Sequence, residues 1–136
     1  MTSNMRILLV EDDAVDVMTV RRAFKDLRIT NPLDTAEDGE AALTFLQGET
    51  KQEPGLILLD LNMPRMNGIE LLQELKQDAR LRRIPVVVLT TSRQEEDRAA
   101  SFDLSVAGYM IKPVDYRQFV EVMRTINLYW THSEAA

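Results

Sequence analysis

The sequence of 136 residues contains no cysteine and only one histidine, His132. Without cysteine, the chain cannot form disulfides, use a thiolate nucleophile or hold zinc through sulfur ligands. A single histidine also removes the base that a serine or cysteine triad requires, and it excludes most transition-metal sites. Any chemistry in this chain must therefore come from carboxylates, hydroxyls, amides and ammonium groups.

Glycine is also scarce, and the five glycines are too scattered to form GxGxxG or GxxxxGK followed by serine or threonine. A loop that cradles nucleotide phosphates is therefore not predicted. The apolar runs are far too short for a signal peptide or a membrane span, so we expect a cytoplasmic protein. The formal net charge of −6 argues against a broad surface for nucleic acid or for an anionic membrane.

The length favours one domain with a single core. With 45% hydrophobic and 28% charged residues, the composition is ordinary for a soluble globular protein. We expect a single domain over residues 1–136, with a core at about 5–130 and a short C-terminal tail at 131–136. No attached output domain is expected.

Four short apolar runs, rich in Val, Ile and Leu, each end abruptly in polar residues. Such continuous runs are typical of strands that are buried on both faces of a parallel sheet. If the strands lie parallel, their carboxyl ends share one edge of the sheet, and the polar residues meet there. The runs and the residues that end them are 7–10 before Glu11, 56–59 before Asp60, 86–89 before Thr90 and 107–111 before Lys112.

Amphipathic segments alternate with these runs, which is typical of α/β proteins with helices on both faces of a sheet. Together with a weaker strand, they predict a single doubly wound sheet of five parallel strands. For this sheet we expect the order 2-1-3-4-5, which is the order of flavodoxin-like folds. The predicted strands are Met5–Val10, Leu33–Ala36, Leu56–Leu59, Val86–Leu89 and Ala107–Ile111. The predicted helices are Ala14–Leu27, a segment after Asp38-Gly39 that ends at Gln47, one that starts near Asn67-Gly68, Gln94–Phe102 and Tyr116–Trp130.

Apolar residues at helical spacing predict the buried face of each helix. The fourth helix has the weakest stripe, with only Ala99, Ala100 and Phe102 as apolar anchors, whereas the fifth carries a continuous stripe that ends at Trp130. Gly48 follows the second helix where a C-terminal glycine cap would lie. The third helix is expected to bury Ile69, Leu72 and Leu75.

Strands 1 and 3 are neighbours at the reversal of strand order, where sites form in such sheets. Glu11, Asp12 and Asp60 would meet there, and their repulsion should raise the pKa of at least one carboxylate. Mg²⁺ would relieve that repulsion, bound by Asp12, Asp60, the backbone carbonyl of Asn62 and water, with Glu11 or Asp13 acting through water. Alternatively, the acidic run 11–13 only caps the first helix.

Asp60 is either a solvated loop residue or a nucleophile, since a carboxylate can attack phosphorus and form an aspartyl phosphate. Lys112 could pair with Asp60 and then with a phosphoryl oxygen, and the Thr90 hydroxyl could donate to the same group. Tyr109 is either a core ring with an outward hydroxyl or a side chain that changes rotamer when Thr90 moves. Pro113 ends the last strand and orients the loop after Lys112.

Four motifs in this order resemble the response-regulator receiver domains of two-component signalling, over about Met5 to Trp130. Each motif alone is of moderate specificity, but the ordered set is highly specific. The motifs are Leu9-Val10-Glu11-Asp12-Asp13, Leu58-Leu59-Asp60-Leu61-Asn62-Met63-Pro64 with Asn67-Gly68, Thr90-Thr91-Ser92, and Gly108-Tyr109-Met110-Ile111-Lys112-Pro113.

The resemblance implies that Asp60 takes a phosphoryl group from a sensor histidine kinase and that water later removes it. It implies a self-catalysed phosphoacceptor rather than an enzyme, with Mg²⁺ as the cofactor. The implied roles are Asp12, Asp60 and the Asn62 carbonyl as metal ligands, Glu11 in the acidic pocket through water, Thr90 and Lys112 on the phosphoryl group, Tyr109 as the aromatic switch, Asn62 and Ser92 as positions that tune dephosphorylation, and Gly68 and Pro113 as structural residues.

A narrower resemblance is to the stand-alone receivers that serve phytochrome-type sensor kinases. It implies a phytochrome-type kinase as the partner, together with an unknown downstream protein. The loop 48–54 lacks the Pro-rich stretch of many members, and residues 131–136 lack their apolar tail. A homodimer through the fourth helix, fifth strand and fifth helix is therefore an open alternative to a monomer. The similar segments are Asp16-Val17, 30–33, 38–43, 88–92 and Tyr129-Trp130.

Three alternatives belong to other classes of protein. A receiver-like interaction module would bind its partner without phosphorylation, and the complete set of polar residues argues against it. A hydrolase with an aspartyl-phosphate intermediate normally has an aspartate two residues after the nucleophile, where this chain has Asn62. A flavodoxin-like electron carrier would need a phosphate-cradling loop after the first strand.

Overall fold

The computed structural model of the chain describes residues 5–48 and 53–131, with side chains through Tyr129. Within these ranges, strands and α-helices alternate along the chain. The elements are β1 Ile7–Val10, α1 Ala14–Asp26, β2 Leu33–Ala36, α2 Gly39–Gln47, β3 Leu56–Leu59, α3 Gly68–Gln77, β4 Val86–Thr90, α4 Glu95–Asp103, β5 Gly108–Ile111 and α5 Tyr116–Ile126, with a 3₁₀ turn at Leu81–Arg83 and a π-helical turn at Asn127–Thr131.

The five strands form one parallel sheet in the order β2-β1-β3-β4-β5, which confirms the predicted fold. Strands β1, β3 and β4 are buried along their whole length, as their uninterrupted apolar runs predicted. Strands β2 and β5 form the two edges and are only partly buried, because each has a strand neighbour on one side. In the central pair, Val10 lies beside Leu59, so β1 and β3 end at the same level.

The core has two layers, one on each face of the sheet, because successive strand side chains point to opposite faces. Leu8 and Val10 of β1 pack on the face that is covered by α2 and α3. Ile7 and Leu9 pack on the opposite face, which is covered by α1 and α5. Helices therefore cover both faces, and the loops at the carboxyl ends of the strands stay open at one rim. Among the described residues, no helix combines the length and apolar character that crossing a membrane requires.

Polar side chains start four of the helices by accepting backbone N–H groups that the first turn leaves unpaired. Asp13 caps α1, and Asp38 caps α2. Asn67 caps α3 in a reciprocal capping box with Glu70, and Asp115 caps α5. The reading of the acidic run at 11–13 as a helix cap is therefore correct for Asp13.

The structure corrects the predicted packing of two helices. In α4, Ala99 and Phe102 are exposed rather than inward, and Ser101 is the buried residue of that helix. Charged and small residues alternate in this helix, so the sequence contains no amphipathic stripe from which its buried face could be predicted. In α3, Leu71 is fully buried, whereas Ile69 lies half-buried at the edge of the core.

Two predicted helix ends also differ. Gly48 does end α2, but with φ of −66°, so its backbone does not use the left-handed conformation that favours glycine. The last α-helix ends at Ile126 and continues as the π-helical turn. The side chain of Trp130 and residues 132–136 of the predicted tail lie outside the described part of the structure.

Gly68 is required by a close approach of backbones. A Cβ at this position would lie 2.7 Å from both the carbonyl oxygen of Asp60 and the Cα of Leu61. We expect Gly68→Ala to lower the free energy of unfolding by about 1–3 kcal/mol, because the loop after β3 would have to move. Gly48→Ala is the matched control, since its Cβ would meet nothing closer than 3.4 Å. Equal urea midpoints for the two variants would contradict this account.

Candidate functional site

Three carboxylates from two neighbouring strand ends form an acidic cluster at the rim. One oxygen each of Glu11, Asp12 and Asp60 lies within 4.8 Å of the other two. Glu11 and Asp60 are buried, at 4% and 7% exposure, whereas Asp12 faces the solvent. The cluster therefore combines a desolvated interior with an open side through which an ion and its waters can enter.

The sheet register explains why these residues meet. The backbone N–H of Asp60 donates to the carbonyl of Val10 at 3.1 Å, so β3 is bonded to β1 up to its last residue. The N–H of Glu11 donates to Ala36 at 2.9 Å, which fixes the end of β1 from the other side. Asp60 and Glu11 therefore leave adjacent strands side by side, as the predicted strand order required.

Lys112 enters the cluster from β5, but not with the partner predicted from the sequence. Its Nζ donates to Glu11 Oε1 at 2.6 Å and to Asp16 Oδ2 at 2.8 Å, rather than to Asp60. The Lys112 side chain is 9% exposed and that of Glu11 is buried, so this ion pair is shielded from water, whereas the Asp16 carboxylate is 38% exposed. Asp16 lies in the first turn of α1, where an acid also suits the helix dipole. Because an acid in the first turn is explained by the helix dipole alone, the sequence did not indicate that Asp16 also binds Lys112.

The pKa of Glu11 is raised from 4.5 to about 7, chiefly because burial disfavours its charge. The Lys112 ammonium opposes this shift, and the charge of Asp60 adds to it. Burial lowers the pKa of Lys112, but hydrogen bonds to Asp16 and Glu11 more than offset that effect and leave it raised. The predicted rise of one carboxylate pKa is thus confirmed at Glu11, with burial as a larger cause than repulsion.

The raised pKa predicts a pH dependence of stability in metal-free protein. Between pH 4.5 and about 7, folded Glu11 retains a proton that the unfolded chain has released. Its contribution to stability therefore falls as pH rises through this window. We expect a lower urea midpoint at about pH 8 than at about pH 5 in the presence of EDTA, and a smaller difference in Glu11→Gln.

The exposed control Glu121→Gln should keep the wild-type difference between the two pH values. An unchanged pH dependence in Glu11→Gln would show that another group is responsible.

The polar residues after β4 form a network with Tyr109. Thr90 is fully buried, and its Oγ1 accepts from the backbone N–H of Ser92 at 3.2 Å. The Tyr109 hydroxyl donates to the Ser92 carbonyl at 3.0 Å, and its half-buried ring lies against Phe102 with centroids 6.5 Å apart. The Ser92 hydroxyl donates to Asp97 Oδ2 at 2.6 Å, a partner that the sequence did not indicate. Both interpretations of Tyr109 fit this arrangement.

Asn62 lies beside Asp12 at the open side of the cluster. An open cleft of about 420 Å³ separates the loop after β3 from the first turn of α4. Asp97 lines this cleft, although neither its spacing nor its neighbours marked it as a site residue. The lining residues are Asp12, Leu61, Asn62, Met63, Pro64, Asn67, Ile69 and Asp97.

Asp13 does not join the carboxylate cluster. Its Oδ1 accepts from the backbone N–H groups of Val15 at 2.8 Å and Asp16 at 3.3 Å, so the carboxylate is used in the helix cap. Its own N–H donates to Glu11 Oε2 at 3.2 Å, which helps to orient that side chain. Of the two acids expected to act through water, Glu11 is the one at the cluster.

The donor set fits a small hard cation. Mg²⁺ and Mn²⁺ prefer oxygen ligands, and Mg²⁺ retains several waters, which the exposed side at Asp12 permits. The described cluster offers carboxylate oxygens from three residues, with neither imidazole nor thiolate nearby. The excess of negative charge, only partly neutralised by Lys112, gives a divalent ion a favourable place to bind.

Residues 7–124 match the family described as "Response regulator receiver domain", and the chain belongs to this family. It is therefore a receiver of two-component signal transduction, a class whose members are in general not enzymes in the usual sense. Of the four motifs on which the resemblance in the sequence rested, two supply the acidic cluster at the ends of β1 and β3, and a third supplies the lysine after β5.

Among the relatives, response regulator Rcp1 of Synechocystis sp. is 43% identical over 128 residues, which cover 91% of this chain and 87% of Rcp1. The crystal structure of the phosphorylated cyanobacterial phytochrome response regulator RcpA superposes with a TM-score of 0.90 at 37% identity, covering 97% of each chain. The Mn²⁺-bound form of Rcp1 gives a TM-score of 0.86 at 40% identity, covering 96% of this chain and 97% of that one. The chain is thus a response regulator related to those of phytochromes.

Proposed function

We propose that Asp60 accepts a phosphoryl group from the phosphohistidine of a sensor histidine kinase. The observation that carries the proposal is the position of Asp60, a buried carboxylate held beside Glu11 and Asp12 at an open rim. Kinship with the phosphorylated regulator RcpA supports it. Asp12, Asp60 and the backbone carbonyl of Asn62 would hold Mg²⁺, with Glu11 acting through water, and the Mn²⁺-bound form of Rcp1 supports a divalent ion.

The transfer requires little covalent chemistry from the protein. A carboxylate oxygen of Asp60 attacks phosphorus, the P–N bond to imidazole breaks, and the imidazole keeps the electron pair and takes up a proton. A bound divalent ion supplies positive charge against the phosphoryl oxygens. The switch would be reset by hydrolysis of the acyl phosphate, in which water attacks phosphorus, the P–O bond to Asp60 breaks, and inorganic phosphate and the Asp60 carboxylate are released.

The switch would work through Lys112, Thr90 and Tyr109. The Thr90 hydroxyl accepts from Ser92, so its own hydrogen can be donated to a phosphoryl oxygen. Lys112 would exchange one of its present carboxylate partners for the phosphoryl group, which carries more negative charge. Movement of Thr90 would then pull on Ser92 and disturb its hydrogen bond with Tyr109, shifting a two-state equilibrium at α4 and β5.

Asn62 and Ser92 are proposed to tune the rate of dephosphorylation. Asn62 and Asp12 line the same open cleft, so Asn62 would influence how water approaches the acyl phosphate from this side. The Ser92 hydroxyl is engaged by Asp97, so the carboxylate of Asp97 determines how freely Ser92 can turn toward the acyl phosphate. Pro113 and Gly68 would act only structurally, by orienting the loop after Lys112 and by allowing α3 to approach β3.

The kinase partner is proposed to be of the phytochrome type, on the basis of similarity to Rcp1 and RcpA. A downstream protein, a homodimer through α4, β5 and α5, and a cytoplasmic location remain predictions. We likewise propose that the chain forms one receiver domain, since all five strands belong to one sheet.

Transfer of label from a phytochrome-type kinase, compared with an unrelated histidine kinase, tests the pairing. Equal transfer from both would argue against it.

The phosphoacceptor role is tested by phosphoryl incorporation from labelled acetyl phosphate, with Mg²⁺ and with EDTA, followed by mapping of the labelled residue. Metal-dependent label on Asp60 is the expected result. Label on another residue would refute the assignment. If neither acetyl phosphate nor a phosphorylated kinase labels folded protein, the chain is a phosphorylation-independent binding module.

A further inference from the structure

The loop between β3 and α3, which carries Asn62, is tied to the start of α2. The guanidinium of Arg65 contacts Asp38 through two nitrogens, with Nε donating to Oδ2 at 2.7 Å. One residue further on, the carbonyl of Met66 accepts from the backbone N–H of Gly39 at 3.0 Å. The loop is therefore joined to the start of a separate element, α2.

Asp38 needs this cation because it is buried. Its exposure is 2%, and besides Arg65 it accepts from the backbone N–H of Ala41 at 2.8 Å as the N-cap of α2. A buried carboxylate is costly unless it is paired and hydrogen-bonded. These hydrogen bonds lower the pKa of Asp38 from its ordinary value, so it is ionised and holds Arg65 at neutral pH.

The backbone at Arg65 is held in an unfavourable conformation. Its φ is 60°, in the left-handed region that residues with a Cβ adopt only where the surroundings enforce it. The loop also packs tightly against the start of α2, since a Cβ on Gly39 would lie 2.6 Å from the carbonyl oxygen of Met66. The ion pair with Asp38 is thus one of the contacts that keep this turn in place.

The other end of the loop is anchored at the phosphoacceptor strand. The N–H of Gly68 donates to the carbonyl of Leu61 at 3.0 Å, and Leu61 is buried. Asn62 lies between this anchor and Arg65. Its main-chain position therefore depends on both, and only two residues, Met63 and Pro64, separate it from Arg65.

We propose that Arg65 is a positioning residue for the divalent-cation site, an inference that rests on the metal role proposed above for Asn62. Through its ion pair with Asp38, Arg65 holds the loop so that the main-chain oxygen of Asn62 is available to an ion bound at Asp12 and Asp60. Arg65 itself would not be a ligand of the ion. This assigns a role in the site to a residue of the exposed loop and to a helix cap on another element.

The direction in which Arg65→Gly changes the affinity for a divalent cation distinguishes a positioning role from a purely electrostatic one. Arg65→Gly keeps the left-handed backbone accessible but removes a positive charge near a cation site. Electrostatics alone would therefore tighten binding of a divalent ion, whereas loss of positioning weakens it. Asp38→Asn retains a good helix cap and removes the buried charge that pairs with Arg65, while the exposed Glu37, whose Oε1 lies 3.8 Å from the guanidinium, remains. Asp38→Asn removes a negative charge, whereas Arg65→Gly removes a positive one, so their electrostatic effects on cation binding are opposite. Both substitutions release the loop that carries Asn62, so their effects through its position are the same.

The test is the Mn²⁺ affinity of the unphosphorylated 136-residue chain, measured by electron paramagnetic resonance of the free ion well below the unfolding temperature. We expect Arg65→Gly and Asp38→Asn each to raise Kd roughly tenfold, the lower end of the range for residues that orient metal ligands. The double variant should be no weaker than either single variant, because both break one contact. Arg65→Lys should recover part of the affinity.

The matched control is Arg80→Ala, which removes an arginine that donates to the carbonyl of Leu46 at the other end of α2. It should lower stability without changing the Kd for Mn²⁺. Wild-type affinity or tighter binding in Arg65→Gly, or a Kd that merely follows the loss of stability across all variants, would overturn the positioning role. Failure of the wild type to bind Mn²⁺ is a different result, because it would overturn the metal site itself and this inference with it.

Discussion

Replacing Asp60 with asparagine is expected to abolish phosphoryl incorporation and leave the fold intact. The amide has nearly the same shape as the carboxylate but lacks the anionic oxygen that attacks phosphorus. Because Asp60 is 7% exposed beside Glu11 and Asp12, the substitution also removes one of three crowded negative charges. We therefore expect a urea midpoint at or above that of the wild type, together with label at background.

The measurement is incorporation from labelled acetyl phosphate in the presence of Mg²⁺, with circular dichroism on the same samples. Asp13→Asn is the matched control. Asp13 is an acid two residues after Glu11, and the carboxylate of Asp13 caps α1. Asparagine is an equally good cap. This control should label like the wild type. Undiminished label in Asp60→Asn, or equal loss in both variants, would contradict the assignment of Asp60.

Replacing Lys112 with alanine is expected to preserve metal binding and to uncouple the switch. The ammonium is buried between Glu11 and Asp16, and its loss leaves a more negative cluster, which favours a divalent cation. Without Lys112, a phosphoryl group on Asp60 has no cation to draw away from those carboxylates. The change that phosphorylation imposes on β5 and α4 should then be lost, although Asp60 can still be labelled.

The cost in stability depends on pH. Removing the lysine leaves Glu11 buried without its cation, and the pKa of Glu11, already about 7, should rise further. Below that pKa, Glu11 takes up a proton and loses its charge, so the variant should be destabilised more at about pH 8 than at about pH 6. Mg²⁺ should reduce the difference by restoring positive charge beside Glu11.

Backbone amide chemical shifts with and without phosphorylation provide the readout for Lys112→Ala. In the wild type, the amides of Thr90, Ser92 and Tyr109 should shift on phosphorylation, whereas in the variant these shifts should be small. Lys25→Ala, which removes an exposed lysine in the last turn of α1, should behave like the wild type. Wild-type shifts in phosphorylated Lys112→Ala would show that the switch works without this ammonium.

The sequence was most informative where local patterns had one structural solution. Continuous apolar runs such as Leu56–Leu59 can be satisfied only between two covered faces, so the parallel sheet followed from them, whereas its order was expected from flavodoxin-like sheets. The polar residues that end the runs had to meet at one rim, which brought Glu11 and Asp60 together in the prediction. The predicted fold was therefore confirmed, and the cluster was found where the strand ends placed it.

Predictions that depended on weak patterns fared less well. The fourth helix has acids in its first turn and few apolar residues, and its Phe102 is 49% exposed, against the prediction. Gly48 ends α2 without a left-handed backbone, whereas Arg65, which no pattern singled out, adopts one. Local propensity does not fix these conformations, because contacts with distant elements decide them.

The sequence by itself determined the parallel sheet and the identity of the acids at its rim, since burial and strand periodicity act on neighbouring residues. The tertiary structure alone decided which partners these residues take. Lys112 binds Glu11 and Asp16 rather than Asp60, Ser92 binds Asp97, and Arg65 binds Asp38. The physical reason is that ion pairs between remote residues depend on distances of a few ångströms, which are set only when the helices pack on the sheet.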